Sequence, residues 1–241
     1  SDYDISMNTI VTNMTMLRTV CNWVRKQGVT NNDPFFGYDM PKALYGTPYF
    51  LTIQERDQVL GADLTDDAEL AEYRDMFVFQ CMVGCRHSDL VTFTPKNIID
   101  GVLEYIPIKT KGKSGDVVRV PLIPKAMAIL DGHDHGDDEP IFPKHYNFKF
   151  NDAIRRILKR AKVNRVVTVI NPKTRLEEKK PISDVATSHL ARRTFIGNLY
   201  RMVKDPDLVA SMSGHAKGSV AFARYRVIDD DMKKSLVELI Q

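Results

Sequence analysis

Residues 188–195 read "SHLARRTF", a histidine and two arginines within about one helical turn, ahead of an apolar stripe. From Ala191 onward, Phe195, Leu199, Met202 and Val203 follow helical spacing and line one face. His189 and Arg192 lie three apart, so they point the same way from the first turn, at the edge of that stripe. A cation pair placed there is aimed at an anion; an ordinary solvated helix start is the plain alternative.

Four other places share this character. "GCRHSDL" sets Arg86 just after a helix break, and "KTKGKSG" carries Lys109, Lys111 and Lys113 at a hairpin tip. "SGH" places His215 directly after Gly214, at the end of a short helix opened by Asp205 and Pro206. Ten residues further on, "FARYR" offers Tyr225. Each has a dull explanation: a surface arginine, solvated lysines guarding a turn, a histidine capping carbonyls, a half-buried tyrosine.

These residues need elements to hold them. Thr52 with Glu55 makes a capping box that opens the main body near "LTIQERDQVL". A helix over about 69–84 breaks at Gly84. "VLEYIPIKT", the turn "KGKSG" and "DVVRVPL" predict a β-hairpin. Helices follow at about 124–131 and 147–161, then "RVVTVI" as a strand and the polar "NPKTRLEEKK" as an exposed loop. Four helices are expected to close the chain, at about 188–203, 206–212, 219–225 and 229–240. Ahead of all this, residues 7–28 form an amphipathic helix through Ile10, Met14, Leu17, Cys21 and Val24, stopped by Gly28. A lone helix cannot bury its own apolar face, so this one packs on the main body or belongs to a domain whose front part precedes it. The fold expected is mainly helical with a small antiparallel sheet.

Composition narrows the classes. The 241 residues are 43% hydrophobic and 27% charged, enough for a real core in a soluble protein. No apolar run approaches the roughly 18 residues of a membrane span, and "SDYDISMNTI" has no signal-peptide character. The three cysteines, Cys21, Cys81 and Cys85, argue against a disulfide framework; Cys81 and Cys85 read as buried small hydrophobes. "DGHDHGDDE" at 131–139, with His133 and His135, raises a metal site but reads better as an acidic surface loop. Net charge is only +3, yet residues 143–180 hold twelve Lys/Arg against three Asp/Glu, while 61–77 hold six acids against one arginine. That asymmetry fits one basic face for a polyanion, or merely a solvated basic face.

Together and in this order, the motifs resemble the tyrosine recombinases, the integrase family of phages and mobile elements. The carriers are Arg86 in "GCRHSDL", the hairpin "IPIKTKGKSGDVVRVPL", His189 and Arg192 in "SHLARRTF", His215 in "SGH" and Tyr225 in "ARYR". The resemblance covers about residues 50 to 230. It implies a catalytic domain over 49–241, with residues 1–48 the last helix of a helical core-binding domain plus a linker, the chain being a fragment of a longer protein.

The chemistry it implies is metal-free and needs no cofactor: site-specific cleavage and rejoining of double-stranded DNA through a 3′-phosphotyrosyl link. Arg86 and Arg192 would clasp the phosphate oxygens with paired donors, and His215 would add another. His189 would donate to the phosphate or help take the tyrosine proton. Tyr225 would attack, and a hairpin lysine would protonate the departing 5′-oxygen. Spacing back from Pro121 favours Lys113, with Lys111 second. Asp89 matches the family's acidic position and would orient an active-site cation. His189, Arg192 and their helix N-terminus together would make the anion site. Arg193 points elsewhere, toward DNA backbone or solvent. The resemblance further implies a tetramer on DNA, accessory DNA-bending proteins, no membrane association, and residence in the bacterial cytoplasm at the nucleoid. The tail "DDDMKKSLVELIQ" would dock on a neighbouring subunit or pack on its own domain. Rival readings are a type IB topoisomerase and a catalytically inert helical DNA-binding module.

Overall fold

The computed structural model describes residues 5–112, 116–133, 136–203, 205–215 and 237. The expected helices at 219–225 and 229–240, with the C-terminal docking they would serve, lie outside the described residues. The chain divides into two compact units, Ser1–Thr47 with Thr168–Lys179, and Pro48–Val167 with Lys180–Gln241.

In the first unit, helix α1 (Met7–Lys26) is capped by Ser6, whose side chain accepts from the Thr9 N–H. Asn8 fixes the following linker with two bonds, donating from Nδ2 to the Leu44 carbonyl (2.8 Å) and accepting from the Leu44 N–H (3.0 Å). Met16, Leu17, Val20 and Trp23 on α1 are exposed.

The second unit is built around α3 (Ala68–Val83), whose residues from Met76 to Val83 are all buried. A helix apolar on every side belongs at the centre of a fold. The helices α2 (Ile53–Leu60), α5 (Pro124–Asp131), α6 (Asn147–Arg160) and α8 (Ser188–Val203) pack around it. The α6 core face is Phe150, Ala153, Ile154, Ile157 and Leu158, at helical spacing. The Thr52–Glu55 capping box forms at the start of α2 as expected.

Beside the helices lies a three-stranded antiparallel sheet of β1 (Ile98–Ile99), β2 (Val102–Tyr105) and β3 (Val118–Pro121), in that order. Leu103 pairs with Val120 and Tyr105 with Val118, all four buried. Glu104 and Arg119 pair on the outer face, at 2.8 Å. This period-two alternation fixes the register. The first hairpin strand is shorter than expected, because the chain turns at Pro107–Lys111, with Thr110 and Lys111 N–H both donating to the Pro107 carbonyl. β1 and the short helices α4 (His87–Leu90) and α7 (Ile182–Val185) are too brief to carry a periodic signal.

"NPKTRLEEKK" is not the loop expected. Its second half, β5 (Glu177–Pro181), pairs with β4 (Val166–Ile170), and only the turn between them is irregular. Charged residues hide a strand whose ladder is held by backbone bonds and whose sides face water.

Part of the charge asymmetry is answered within the fold. Within the second unit Arg156 pairs with Asp67 (2.7 Å), Arg160 with Asp66 (2.5 Å) and Arg165 with Glu55 (2.7 Å). Part of the basic stretch therefore answers the acidic one, segments far apart in sequence but adjacent in space. The short helix α9 (Pro206–Ser213) completes the described unit, with Asp205 capping the Asp207 and Leu208 N–H groups.

Candidate active site

Arg86 owes its position to the end of α3. Gly84 adopts a left-handed conformation (φ 68°) and its N–H returns to the Gln80 carbonyl, closing the helix. A Cβ here would stand 2.2 Å from Phe195 Cδ1, so only glycine fits. The chain then reverses through buried Cys85, whose carbonyl accepts from Gln80 Nε2 (3.0 Å), and Arg86 caps α4. Arg86 Nη1 is buried with no hydrogen-bond partner among the described residues.

Arg192 comes from the second turn of α8 and is 2% exposed. Its Nη1 donates to the Gly84 carbonyl (2.8 Å), so the glycine that ends α3 also aims the arginine. Its Nη2 lies 3.0 Å from His215 Nδ1 and 3.2 Å from Nε2. Ser213 Oγ commits its proton to the Val209 carbonyl (2.8 Å) and stands 2.9 Å from His215 Nδ1. A neutral ring carries one acceptor nitrogen for Arg192 Nη2, and its tautomer decides which one. Burial and then the charges of Arg192, Arg86 and Lys109 push the His215 pKa down to about 3, so the ring is neutral. Gly214 (φ 63°) makes the turn that presents it, packed between Val118 and Pro107 of the hairpin.

His189 stands on the first turn of α8, exposed at the rim. Packing about its ring, then Arg193, Arg192, Arg86 and Lys109, holds its pKa below the ordinary histidine value. Arg86, His189 and Arg192 line one pocket of about 310 Å³, with Gln80, His87, Asn147 and Ser188 among the other walls. The start of α8 is less open to an anion than the helix-terminus reading requires. The Ser188 N–H already donates to Asn151 Oδ1 (2.7 Å) and the Leu190 N–H to the Thr187 carbonyl (2.8 Å). Side chains carry the positive charge of this pocket.

Asp89 is 1% exposed, and its Oδ1 accepts from the Ile108 N–H (2.9 Å). Among the described residues its hydrogen-bond partner is the backbone of the hairpin rather than a cation. Arg193 is half-buried, its guanidinium 5.1 Å from the centre of the Tyr49 ring.

Tyr225 and Lys113 lie outside the described residues, as does His135. Lys111 is exposed at the turn. Lys109 is exposed, and its charge is the last of those that lower the His189 and His215 pKa values. Gln80 was also missed, though it is the one polar side chain in the apolar run "MFVFQCMV". Cys81 and Cys85 are buried free thiols whose pKa values burial drives upward. His133 faces Asp75 (3.7 Å) and Phe142, and no metal-binding cluster occurs among the described residues. No helix among them is long and apolar enough to cross a membrane.

Comparison with known proteins agrees with this geometry. The sequence profile of the phage integrase family matches residues 50–232. No curated protein is significantly similar in sequence. Among solved structures, the chain resembles XerA recombinase at 15% identity and a TM-score of 0.53, covering 83% of this chain and 66% of that one. It resembles a lambda integrase dimer bound to a COC′ core site at 15% identity and 0.61, covering 94% and 81%. It resembles the Tn1549 transposon integrase in complex with transposon right end DNA at 16% and 0.65, covering 98% and 80%.

Proposed function

Because the chain belongs to the phage integrase family, the site-specific tyrosine recombinases, we propose that it cleaves and rejoins double-stranded DNA through a 3′-phosphotyrosyl intermediate on Tyr225. The observation that carries this is the convergence on one pocket of Arg86 from the α3–α4 turn and His189 and Arg192 from α8, with His215 bonded to Arg192. Two guanidinium groups and two imidazoles suit a phosphodiester, whose non-bridging oxygens gain charge as a nucleophile adds.

In this reading Arg86 and Arg192 hold those oxygens. Arg192 is pre-aimed by the Gly84 carbonyl, so little reorganisation accompanies the reaction. Neutral His189 accepts the Tyr225 proton while the Tyr225 Oη–P bond forms and the P–O5′ bond breaks. A hairpin lysine, Lys113 or Lys109, supplies a proton to the leaving 5′-oxygen; the charge of Lys109 is among those that lower the pKa values of both histidines. A second strand's 5′-hydroxyl reverses the step. Residues 49–241 are then the catalytic domain, and residues 1–48 the end of a DNA-clasping helical domain with its linker. Assembly on DNA is supported by the lambda integrase neighbour, a dimer on its core site. Extended to this chain, the proposal is a tetramer, aided by DNA-bending proteins, acting in the bacterial cytoplasm at the nucleoid.

The test is incubation with nicked suicide DNA bearing candidate element ends, in EDTA, followed by a denaturing gel. A shifted covalent band that disappears in Tyr225→Phe is expected. Tight site binding by the full-length protein without any adduct would overturn the enzyme in favour of an inert DNA-binding module. Relaxation of supercoiled DNA by a monomer would point to a type IB topoisomerase.

A further inference from the structure

Two aromatic rings beside the pocket have no role in the chemistry above. Tyr146 and Phe148, at the start of α6, are 74% and 68% exposed. They stack on each other, with centroids 5.9 Å apart and planes at 22°. Helical spacing sends Phe150, Ile154 and Ile157 into the core, so the outward pair is not part of the buried face. Isolated apolar residues are ordinary on a surface, but two stacked rings left in water are not.

Their neighbours give the pair a context. Asn147, between them in sequence, lines the same pocket as Arg86, His189 and Arg192, and its Oδ1 accepts from Ser188 Oγ (3.1 Å). Lys144 and Lys149 flank the rings, both exposed and without an ion pair among the described residues. Aromatic faces interleaved with cations, next to a residue that lines a basic pocket, are the composition that holds unpaired nucleic acid: bases stack while lysines meet the backbone.

We propose that Tyr146 and Phe148 form a stacking platform for an unstacked nucleobase next to the scissile phosphate. The proposal rests on the DNA-cleaving reading and deepens it. A base inside a duplex has both faces covered, so the platform engages only where the helix opens. Strand exchange requires that opening, because bases beside the break must leave one partner for another. Stacking discriminates little among bases, so the platform favours an open step over a paired one and contributes little sequence preference.

The experiment compares two DNA probes of the same sequence around the cleavage site, one fully paired and one with three unpaired nucleotides next to the scissile phosphate. Binding is read by fluorescence anisotropy. Tyr146→Ala and Phe148→Ala are expected to weaken binding of the unpaired probe by about 5- to 150-fold, with under about twofold change on the paired one. Tyr146→Phe keeps the ring and should restore binding. Equal losses on both probes, or none on either, would overturn the platform. So would altered sedimentation of the free protein with unchanged DNA affinity, which would mark the rings as a protein contact. Adduct formation by the unsubstituted protein is scored in parallel. A ring-dependent preference for unpaired DNA without an adduct would reject the cleavage reading and keep the platform.

Discussion

Asp89 Oδ1 accepts a hydrogen bond from the Ile108 N–H at 2.9 Å, joining the helix that Arg86 caps to the turn from which Lys109 projects. The carboxylate is 1% exposed, so the bond is shielded from water. Asp89→Ala strands the Ile108 N–H and should cost about 1–3 kcal/mol in urea unfolding. Asparagine at 89 keeps an acceptor for that N–H and should cost under about 1 kcal/mol. If both variants lose equally, the negative charge matters and the hydrogen bond does not.

Arg192 spends its two terminal nitrogens on different partners, the Gly84 carbonyl and the His215 ring. Lysine cannot reproduce that fork. Arg192→Lys should therefore slow single-turnover adduct formation by about 100- to 1,000-fold, the range for losing one preorganised donor to a developing oxyanion. DNA affinity should change by less than about tenfold, since a positive charge remains near the phosphate. A matching collapse of affinity would assign Arg192 to binding alone.

Gly84 is forced by two constraints at once, a left-handed φ of 68° and the Phe195 ring 2.2 Å from where a Cβ would sit. Gly84→Ala combines backbone strain of about 1–2 kcal/mol with an overpacking cost of about 1–3 kcal/mol. Pairing it with Phe195→Leu should recover part of the second cost, measured as a coupling in a double-mutant cycle. Strict additivity would show that the ring moves aside freely.

These relationships explain what the sequence could and could not reveal. Gly84, Gly214 and the "SHLARRTF" turn were readable because helix stops and helical spacing are local signals. The Arg192–Gly84 bond spans 108 residues, and no local pattern encodes it. The hairpin was read as longer than it is, since β2 stops at Tyr105 and the chain turns at Pro107, and the choice between Lys113 and Lys109 passes to experiment. Charge clustering could not show that Arg156 and Arg160 meet Asp67 and Asp66, because those pairs form only in three dimensions. Strand β5 was hidden because "EEKKP" has no apolar alternation to report.

Histidine 215 should make the fold acid-sensitive. Its folded pKa is about 3 against an ordinary value of 6.5, so between those limits the unfolded chain binds the proton that the folded chain refuses. Stability from this group is full above about pH 6.5 and declines as the pH falls toward about 3. His189 and His87 are shifted in the same direction and supply a background common to both proteins. His215→Asn removes only the first contribution, so its unfolding free energy should fall less between pH 7.5 and pH 5 than that of the unsubstituted protein. Parallel pH curves would mean that the ring is protonated in the folded state.

Lys109 and Lys113 can be separated by the leaving group. A lysine acting as general acid protonates the departing 5′-oxygen, and its loss typically costs 10²- to 10⁴-fold. A substrate with sulfur in the 5′-bridging position releases a thiolate, which needs no proton to leave. Lys109→Ala should therefore be severely slow on the oxygen ester and close to the unsubstituted protein on the sulfur ester. Lys113→Ala should be modestly slow on both, as expected of a lysine that only attracts the backbone. Selective sulfur rescue of Lys113→Ala would move the acid to the hairpin tip. It would leave Lys109 as the last of the charges that, after burial, lower the His189 and His215 pKa values.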